Sequence, residues 1–142
     1  MTDFLIDSNI LVYSIDAAAG SKHKIAKDLM ERGMEERGAT ISIQNIVEFA
    51  RVISEKSKTQ LSTQAQMNLV HDFNYSFKVL TYGPETISCA LQISSLHNIH
   101  FFDALLVATM NENGINHIIT ENVSDFKKVK WLKVLNPFKS GD

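Results

Sequence analysis

The sequence predicts an α/β fold in which helices flank a parallel sheet. Short apolar runs alternate with stretches of helical periodicity along the chain. Most of these runs are rich in Val, Ile or Leu, as strands buried on both faces of a parallel sheet are. At 142 residues, with two prolines and six glycines, the chain has the length of one domain and little room for linkers. We therefore expect residues 1–142 to form a single domain.

The elements follow in order from these patterns. Five strands are predicted, at residues 4–6, 40–43, 78–81, 117–120 and 133–135. The helices between them are predicted at residues 9–15, 23–36, 46–58, 63–75, 84–97 and 103–113. Pro84 suits the first turn of its helix, and Gly114 suits the residue that follows a helix end.

Three acidic residues stand where an apolar run gives way to a turn or a helix start. Asp7 closes the first strand, Glu48 lies within an apolar stretch after the second strand, and Asp103 opens the last long helix. Burying a carboxylate is costly unless it is paired, hydrogen-bonded or holding a cation. Three carboxylates in such similar settings indicate one shared site.

Chain direction predicts that these groups meet. Each helix that leaves a parallel strand begins at the carboxyl edge of the sheet, which places Asp7 and Glu48 there, Glu48 in about the first helical turn. The helix from Asp103 runs back into strand four, so Asp103 should lie level with the end of that strand, near Thr120. Open α/β sheets bind their ligands at this edge.

The chemistry that such a site favours is metal-dependent. Carboxylates held close together repel one another, and a divalent cation relieves the repulsion. Oxygen donors without histidine or cysteine at ligand spacing favour Mg²⁺ or Mn²⁺ over zinc. The ion can activate a water for attack on a phosphodiester. Asn9 and Thr120 could supply hydrogen bonds to the ligands or to that water.

Each acidic residue also has a structural interpretation. Asp7 could cap the next helix through an Asx-turn. Glu48, three residues after Asn45, fits a capping box. Asp103 could complement the dipole of its own helix.

Four segments together resemble the PIN-domain ribonucleases, and most closely the VapC-type toxins of toxin–antitoxin pairs. They are Leu5-Ile6-Asp7-Ser8-Asn9-Ile10-Leu11-Val12, Gln44-Asn45-Ile46-Val47-Glu48-Phe49, Phe102-Asp103-Ala104-Leu105-Leu106-Val107-Ala108 and Ile119-Thr120-Glu121-Asn122-Val123-Ser124-Asp125-Phe126. The resemblance covers essentially the whole chain and implies a five-stranded parallel sheet flanked by helices. It also implies a Mg²⁺- or Mn²⁺-dependent endoribonuclease with Asp7, Glu48 and Asp103 at the first three acidic positions.

The fourth acidic position departs from the fuller family pattern. Many relatives carry Asp two residues after the Thr, where this chain has Asn122. Asp125 could reach the site instead, or cap the turn before Phe126. With one carboxylate fewer, we expect one tightly held ion and at most a weak second one.

The resemblance further implies a structured RNA such as tRNA as substrate, a cognate antitoxin protein and a homodimer. The absence of a long apolar run and of a visible secretory signal favours a cytoplasmic protein without a membrane span. The leading hypothesis is a toxin endoribonuclease. The alternative is a non-catalytic RNA- or partner-binding module with a degenerate metal site, which Asn122 would explain.

Overall fold

A computed structural model of the chain describes residues 2–55 and 60–139. The strands are β1 (Phe4–Ile6), β2 (Ala39–Ser42), β3 (Lys78–Leu80), β4 (His117–Ile119) and β5 (Lys133–Leu135). The helices are α1 (Ser8–Ile15), α2 (Ser21–Glu36), α3 (Ile43–Glu55), α4 (Thr63–Ser76), α5 (Pro84–His97), α6 (Phe101–Glu112) and α7 (Val123–Phe126), with a 3₁₀ turn at Ala17–Ala19.

The five strands form one parallel sheet in the order β3-β2-β1-β4-β5, as predicted. The central strand β1 pairs with β2 on one side, where Leu5 stands opposite Thr40, and with β4 on the other, where Leu5 stands opposite Ile118. The chain moves outward from β1 to β3 and then returns to the far side of β1. The boundary between β1 and β4 is therefore the topological switch point, where a crevice opens at the carboxyl ends of the strands.

Two hydrophobic clusters make up the core. One joins Leu5 and Ile118 of the sheet to α5 and α6, and the other joins Ile6 and Ile41 to α1, α2, α3 and α4. Residues 104–110 of α6 are buried without a break, which makes α6 the most enclosed helix among those described. Of the described residues, none belongs to a helix long and apolar enough to cross a membrane.

Helix α2 lies very close to the sheet at Gly33. A Cβ atom added there would lie 3.0 Å from the Cβ of Ala39 in β2 and 3.4 Å from the ring of Phe77. Glycine in a helix interior costs about 1 kcal/mol relative to alanine. Here that cost permits close packing between α2 and β2.

The main difference from the predicted elements lies at the junction of β2 and α3. Ile43 was predicted to end the second strand, but it begins α3, three residues before the predicted start. The reason is a reciprocal pair of hydrogen bonds: the Ser42 N–H donates to Asn45 Oδ1, and the Asn45 N–H donates to Ser42 Oγ. This capping box begins the helix directly at the end of the strand, without a loop.

Smaller differences occur elsewhere. Helix α6 begins at Phe101 rather than Asp103, and Thr81 and Thr120 lie just beyond their strands. The short helix α7 was not predicted. The predicted end of the third helix, Lys58, lies outside the described residues. Gly114 follows the C-cap residue of α6 with φ +67°, as predicted for a residue after a helix end.

Candidate active site

Asp7 occupies the switch point between β1 and β4. Its N–H donates to the carbonyl oxygen of Ile119, which aligns the ends of the two strands. Its side chain caps α1 by accepting a hydrogen bond from the Ser8 N–H at 2.7 Å. The Asx cap considered from the sequence is therefore present, and it coexists with a place at the centre of the acidic edge.

The Asp7 carboxylate is buried, with 7% of the residue exposed, and well supplied with donors. Oδ2 accepts a hydrogen bond from Thr120 Oγ1 at 2.7 Å, and Oδ1 accepts one from Asn45 Nδ2 at 3.3 Å. Burial raises the pKa of Asp7, and the hydrogen bonds from Thr120 and Ser8 offset part of that rise. An additional positive charge would favour the ionised form further.

The Thr120 hydroxyl, just after β4, links that strand to α1 through hydrogen bonds. Its Oγ1 donates to Asp7 and accepts hydrogen bonds from Asn9 Nδ2 at 3.2 Å and from the Asn122 N–H at 3.0 Å. Asn9 Oδ1 in turn accepts a hydrogen bond from the Glu121 N–H at 3.3 Å. Asn9 and Thr120 thus fix the orientation of the Asp7 carboxylate and the path of the chain after β4.

Glu48 lies in the second turn of α3, because the helix starts at Ile43; the predicted first-turn position was wrong. The capping-box role considered for Glu48 is also wrong, since Asn45 pairs with Ser42 instead. Glu48 Oε1 lies 3.4 Å from Ser8 Oγ, which lies 3.4 Å from Asp7 Oδ1 as well. Ser8 therefore bridges the two carboxylates.

The electrostatic environment of Glu48 reflects its neighbours. Burial and the charge of Asp7 raise the pKa of Glu48, whereas the nearby Arg51 guanidinium opposes the rise. The two carboxylates therefore lie within electrostatic reach of each other, and each makes ionisation of the other less favourable.

Asp103 stands in the first turn of α6 beside Asp125 of α7. Burial, a hydrogen bond shared with Asp125 and the charge of Asp7 raise the pKa of Asp103 to about 7. The pKa of Asp125 is lowered, mainly because its Oδ2 accepts a hydrogen bond from the His100 N–H at 3.3 Å. The pKa values of these two neighbouring carboxyl groups are therefore shifted in opposite directions.

At the fourth position the two candidates have different surroundings. Asn122 is the residue before α7, and its backbone N–H joins the Thr120 network. Asp125 approaches Asp103 and forms an ion pair with Lys128, Nζ to Oδ1 at 3.6 Å. Of these two candidates, Asp125 is therefore the one whose side chain interacts with Asp103.

Sequence reasoning missed three polar residues at this edge: Ser8, Gln44 and Asn45. Gln44 Nε2 donates to the carbonyl oxygen of Phe102 at 2.8 Å and so joins α3 to α6. The signal for Asn45 was present in the sequence, because Ser42 and Asn45 have capping-box spacing. The contacts of Ser8 and Gln44 depend on how distant segments pack, which the local sequence does not record.

The donor set suits a hard divalent cation. Asp7, Glu48, Asp103 and Asp125 offer only oxygen ligands, and the first three have pKa values raised by burial and, for Glu48 and Asp103, by the charge of Asp7. Within the described ranges, no three His, Cys, Asp or Glu side chains are already arranged to hold an ion. The chemistry of the residues fits Mg²⁺ or Mn²⁺.

Solved structures with this fold include toxin–antitoxin complexes. The DNA-bound VapBC complex of Salmonella typhimurium has a chain 15% identical, with a TM-score of 0.71 over 96% of this chain and 99% of that one. VapBC2 of Rickettsia felis, bound to a promoter DNA fragment, has a chain 16% identical, with a TM-score of 0.70 over 95% and 98%. Mycobacterium tuberculosis VapC20, described as a Sarcin-Ricin loop cleaving toxin, is 15% identical, with a TM-score of 0.70 over 90% and 95%.

These likenesses establish a shared fold. No curated protein matches the sequence. The sequence does match the family described as PIN domain over residues 4–132. Because that match spans most of the chain, the protein belongs to the PIN-domain family.

Proposed function

We propose that the protein is a Mg²⁺- or Mn²⁺-dependent endoribonuclease and the toxin of a type II toxin–antitoxin pair. The observation that carries the proposal is the buried Asp7 carboxylate at the switch point of the sheet, within electrostatic reach of Glu48 and Asp103. PIN-family membership and the toxin folds among the similar structures support it.

In this proposal Asp7, Glu48 and Asp103 hold the cation, with Asp125 or Asn122 at the fourth position. A bound divalent ion would supply charge neutralisation and a more acidic water for attack on phosphorus. Thr120 and Asn9 hold the Asp7 carboxylate in one orientation through hydrogen bonds. Family resemblance implies products that carry a 5′-phosphate and a 3′-hydroxyl.

In this proposal the protonation state of Asp103 links binding of the cation to pH. With a pKa of about 7, it is only partly ionised at neutral pH until a cation arrives. Binding of the ion would release the proton from the fraction of Asp103 that is protonated.

We also propose a cognate antitoxin, a homodimer and a cytoplasmic location. The similar structures from Salmonella typhimurium and Rickettsia felis are VapBC complexes, which supports an antitoxin partner. Residues exposed on the helices, including Met67 of α4, could contribute to either contact.

The test is cleavage of total RNA by the purified chain with Mg²⁺ or Mn²⁺. Asp7→Asn is compared with Asp28→Asn, a control in which an exposed carboxylate on α2 is neutralised. We expect cleavage by the parent and by Asp28→Asn, and none by Asp7→Asn or in EDTA. Equal cleavage by Asp7→Asn would contradict the site assignment. RNA binding without cleavage by the parent would favour the alternative, a non-catalytic binding module.

A further inference from the structure

Phe102 is an exposed aromatic residue directly before Asp103. It is 54% exposed, although the seven residues 104–110 that follow on α6 are buried. A single exposed apolar side chain is common on protein surfaces and needs no explanation by itself. The surroundings of Phe102 are what distinguish it.

Phe102 is held in place from several directions. Its carbonyl oxygen accepts the hydrogen bond from Gln44 Nε2, and Gln44 is itself buried. Its ring stacks against His100, with centroids 6.4 Å apart and planes at 26°. The edge of Phe101 contacts it at 5.4 Å and 74°. An exposed ring whose backbone and neighbours are fixed offers a flat face at low entropic cost.

Gln44 adds a second observation at this position. Its Oε1 is buried and is the one buried side-chain polar atom without a hydrogen-bond partner in the described part of the chain. The other end of the same amide, Nε2, donates to the backbone of Phe102 beside Asp103, so a buried side chain holds this segment in place.

Two basic side chains lie near the acidic residues of the candidate site. Arg51 lies close enough to Glu48 to favour its ionised form, and its guanidinium is largely exposed. Lys128 forms an ion pair with Asp125, and its Nζ also donates to the carbonyl oxygen of Asn98 at 3.1 Å. Basic side chains beside an acidic centre can contact the phosphates near a cleaved bond.

We propose that Phe102, backed by His100, forms a stacking platform for an unpaired base of the RNA substrate next to the cleaved phosphate. The inference rests on the proposed function and adds a preference to it. Single-stranded RNA is bound by stacking its bases on exposed aromatic rings, whereas a base inside a duplex has both faces covered.

The test measures binding separately from cleavage. Every variant carries Asp7→Asn so that RNA stays intact, and Kd is measured with Mg²⁺ for a single-stranded RNA 12-mer of mixed sequence and for inorganic polyphosphate. Phe102→Ala should weaken RNA binding roughly tenfold and leave polyphosphate binding unchanged, because polyphosphate has no bases. Phe102→Trp should retain RNA binding, and Phe102→Leu should lose it, since leucine is apolar without an aromatic face.

Tyr75→Ala is the matched control. Tyr75 is 93% exposed at the end of α4, which precedes β3 and so lies at the opposite edge of the sheet. Its removal should change neither Kd. Equal RNA affinity of the parent and Phe102→Ala would overturn the platform. If Phe102→Ala also loses self-association, Phe102 belongs to a contact between copies of the chain.

Cleavage by the chain with native Asp7 distinguishes the two proposals. If the chain with native Asp7 cuts total RNA but Phe102→Ala binds RNA as tightly as its parent, only the stacking role of Phe102 is refuted. If it cuts no RNA and the Asp7→Asn parent binds none, the proposed function fails and the platform fails with it.

Discussion

Thr120→Val would test whether one hydroxyl group holds the acidic edge together. Valine keeps the shape of threonine, so the change removes hydrogen bonds and leaves no cavity. Thr120 is fully buried, and its Oγ1 serves Asp7, Asn9 and the Asn122 N–H at once. A hydrogen bond to a charged group contributes about 1.5–3 kcal/mol, and an unpaired buried donor costs about 1–3 kcal/mol.

The full cost of an unpaired donor does not add to the loss of the hydrogen bond to Asp7, because Asn9 Nδ2 keeps a second acceptor in Asp7 Oδ2 at 3.4 Å. We therefore expect the free energy of unfolding to fall by about 3 kcal/mol in total. For a chain of this length, that loss lowers Tm by roughly 10 °C. The pKa of Asp7 should also rise, because the Thr120 hydrogen bond lowers it, and RNA cleavage should shift to higher pH.

The assay is urea denaturation of Thr120→Val beside Thr109→Val. Thr109 is also fully buried, but its hydroxyl donates to the Leu105 carbonyl oxygen within α6, where the helix already satisfies the backbone. Thr109→Val should cost less than about 1 kcal/mol. If the two variants are equally stable, the three-partner network around Thr120 does not contribute as argued.

Three further predictions concern pH, positioning and packing. Because the pKa of Asp103 is raised from 3.8 to about 7, its contribution to stability is complete below pH 3.8 and is lost as pH rises through 7. The unfolding free energy should therefore fall between about pH 4 and 7, less steeply in Asp103→Asn or with Mg²⁺ present; parallel curves would contradict this. Tyr13→Phe removes the 2.7 Å hydrogen bond from the Tyr13 hydroxyl to the Glu121 side chain, and the Glu121 N–H donates to Asn9. RNA cleavage should therefore slow several-fold, and the free energy of unfolding should fall by about 1 kcal/mol. Unchanged kcat would exclude a positioning role. Gly33→Val should lower the unfolding free energy by about 1–3 kcal/mol in thermal melts, because a Cβ there would lie 3.0 Å from Ala39; an unchanged Tm would show that α2 can move away.

The sheet was predictable because its signals are local. Residues 4–6 and 133–135 were predicted as strands with the bounds that the structure has, since each is a short segment rich in Val, Ile, Leu or Phe that ends at a polar residue. The parallel arrangement followed from the alternation of strands and helices. The β2–α3 junction was mispredicted because apolar Ile43 continues the strand pattern, whereas the Ser42–Asn45 hydrogen bonds end it.

The location of the candidate site could be predicted from the sequence, but most of its side-chain contacts could not. Chain direction alone brings Asp7 and Thr120 to one edge, and the two side chains are hydrogen-bonded at 2.7 Å. The bridging place of Ser8 and the contact from Gln44 to Phe102 depend on helix packing between segments up to 58 residues apart. Patterns within a short stretch of sequence do not show which distant segments pack together.

The hydrogen bond between Asp7 and Thr120 joins residues 113 positions apart. A growing chain therefore carries Asp7 well before Thr120 and cannot complete the surroundings of Asp7 until β4 has been made and has docked beside β1. Domains fold as their segments leave the ribosome, and contacts of long sequence separation form late. A nuclease built this way would stay inactive until β4 has been translated, while its messenger RNA is still close by.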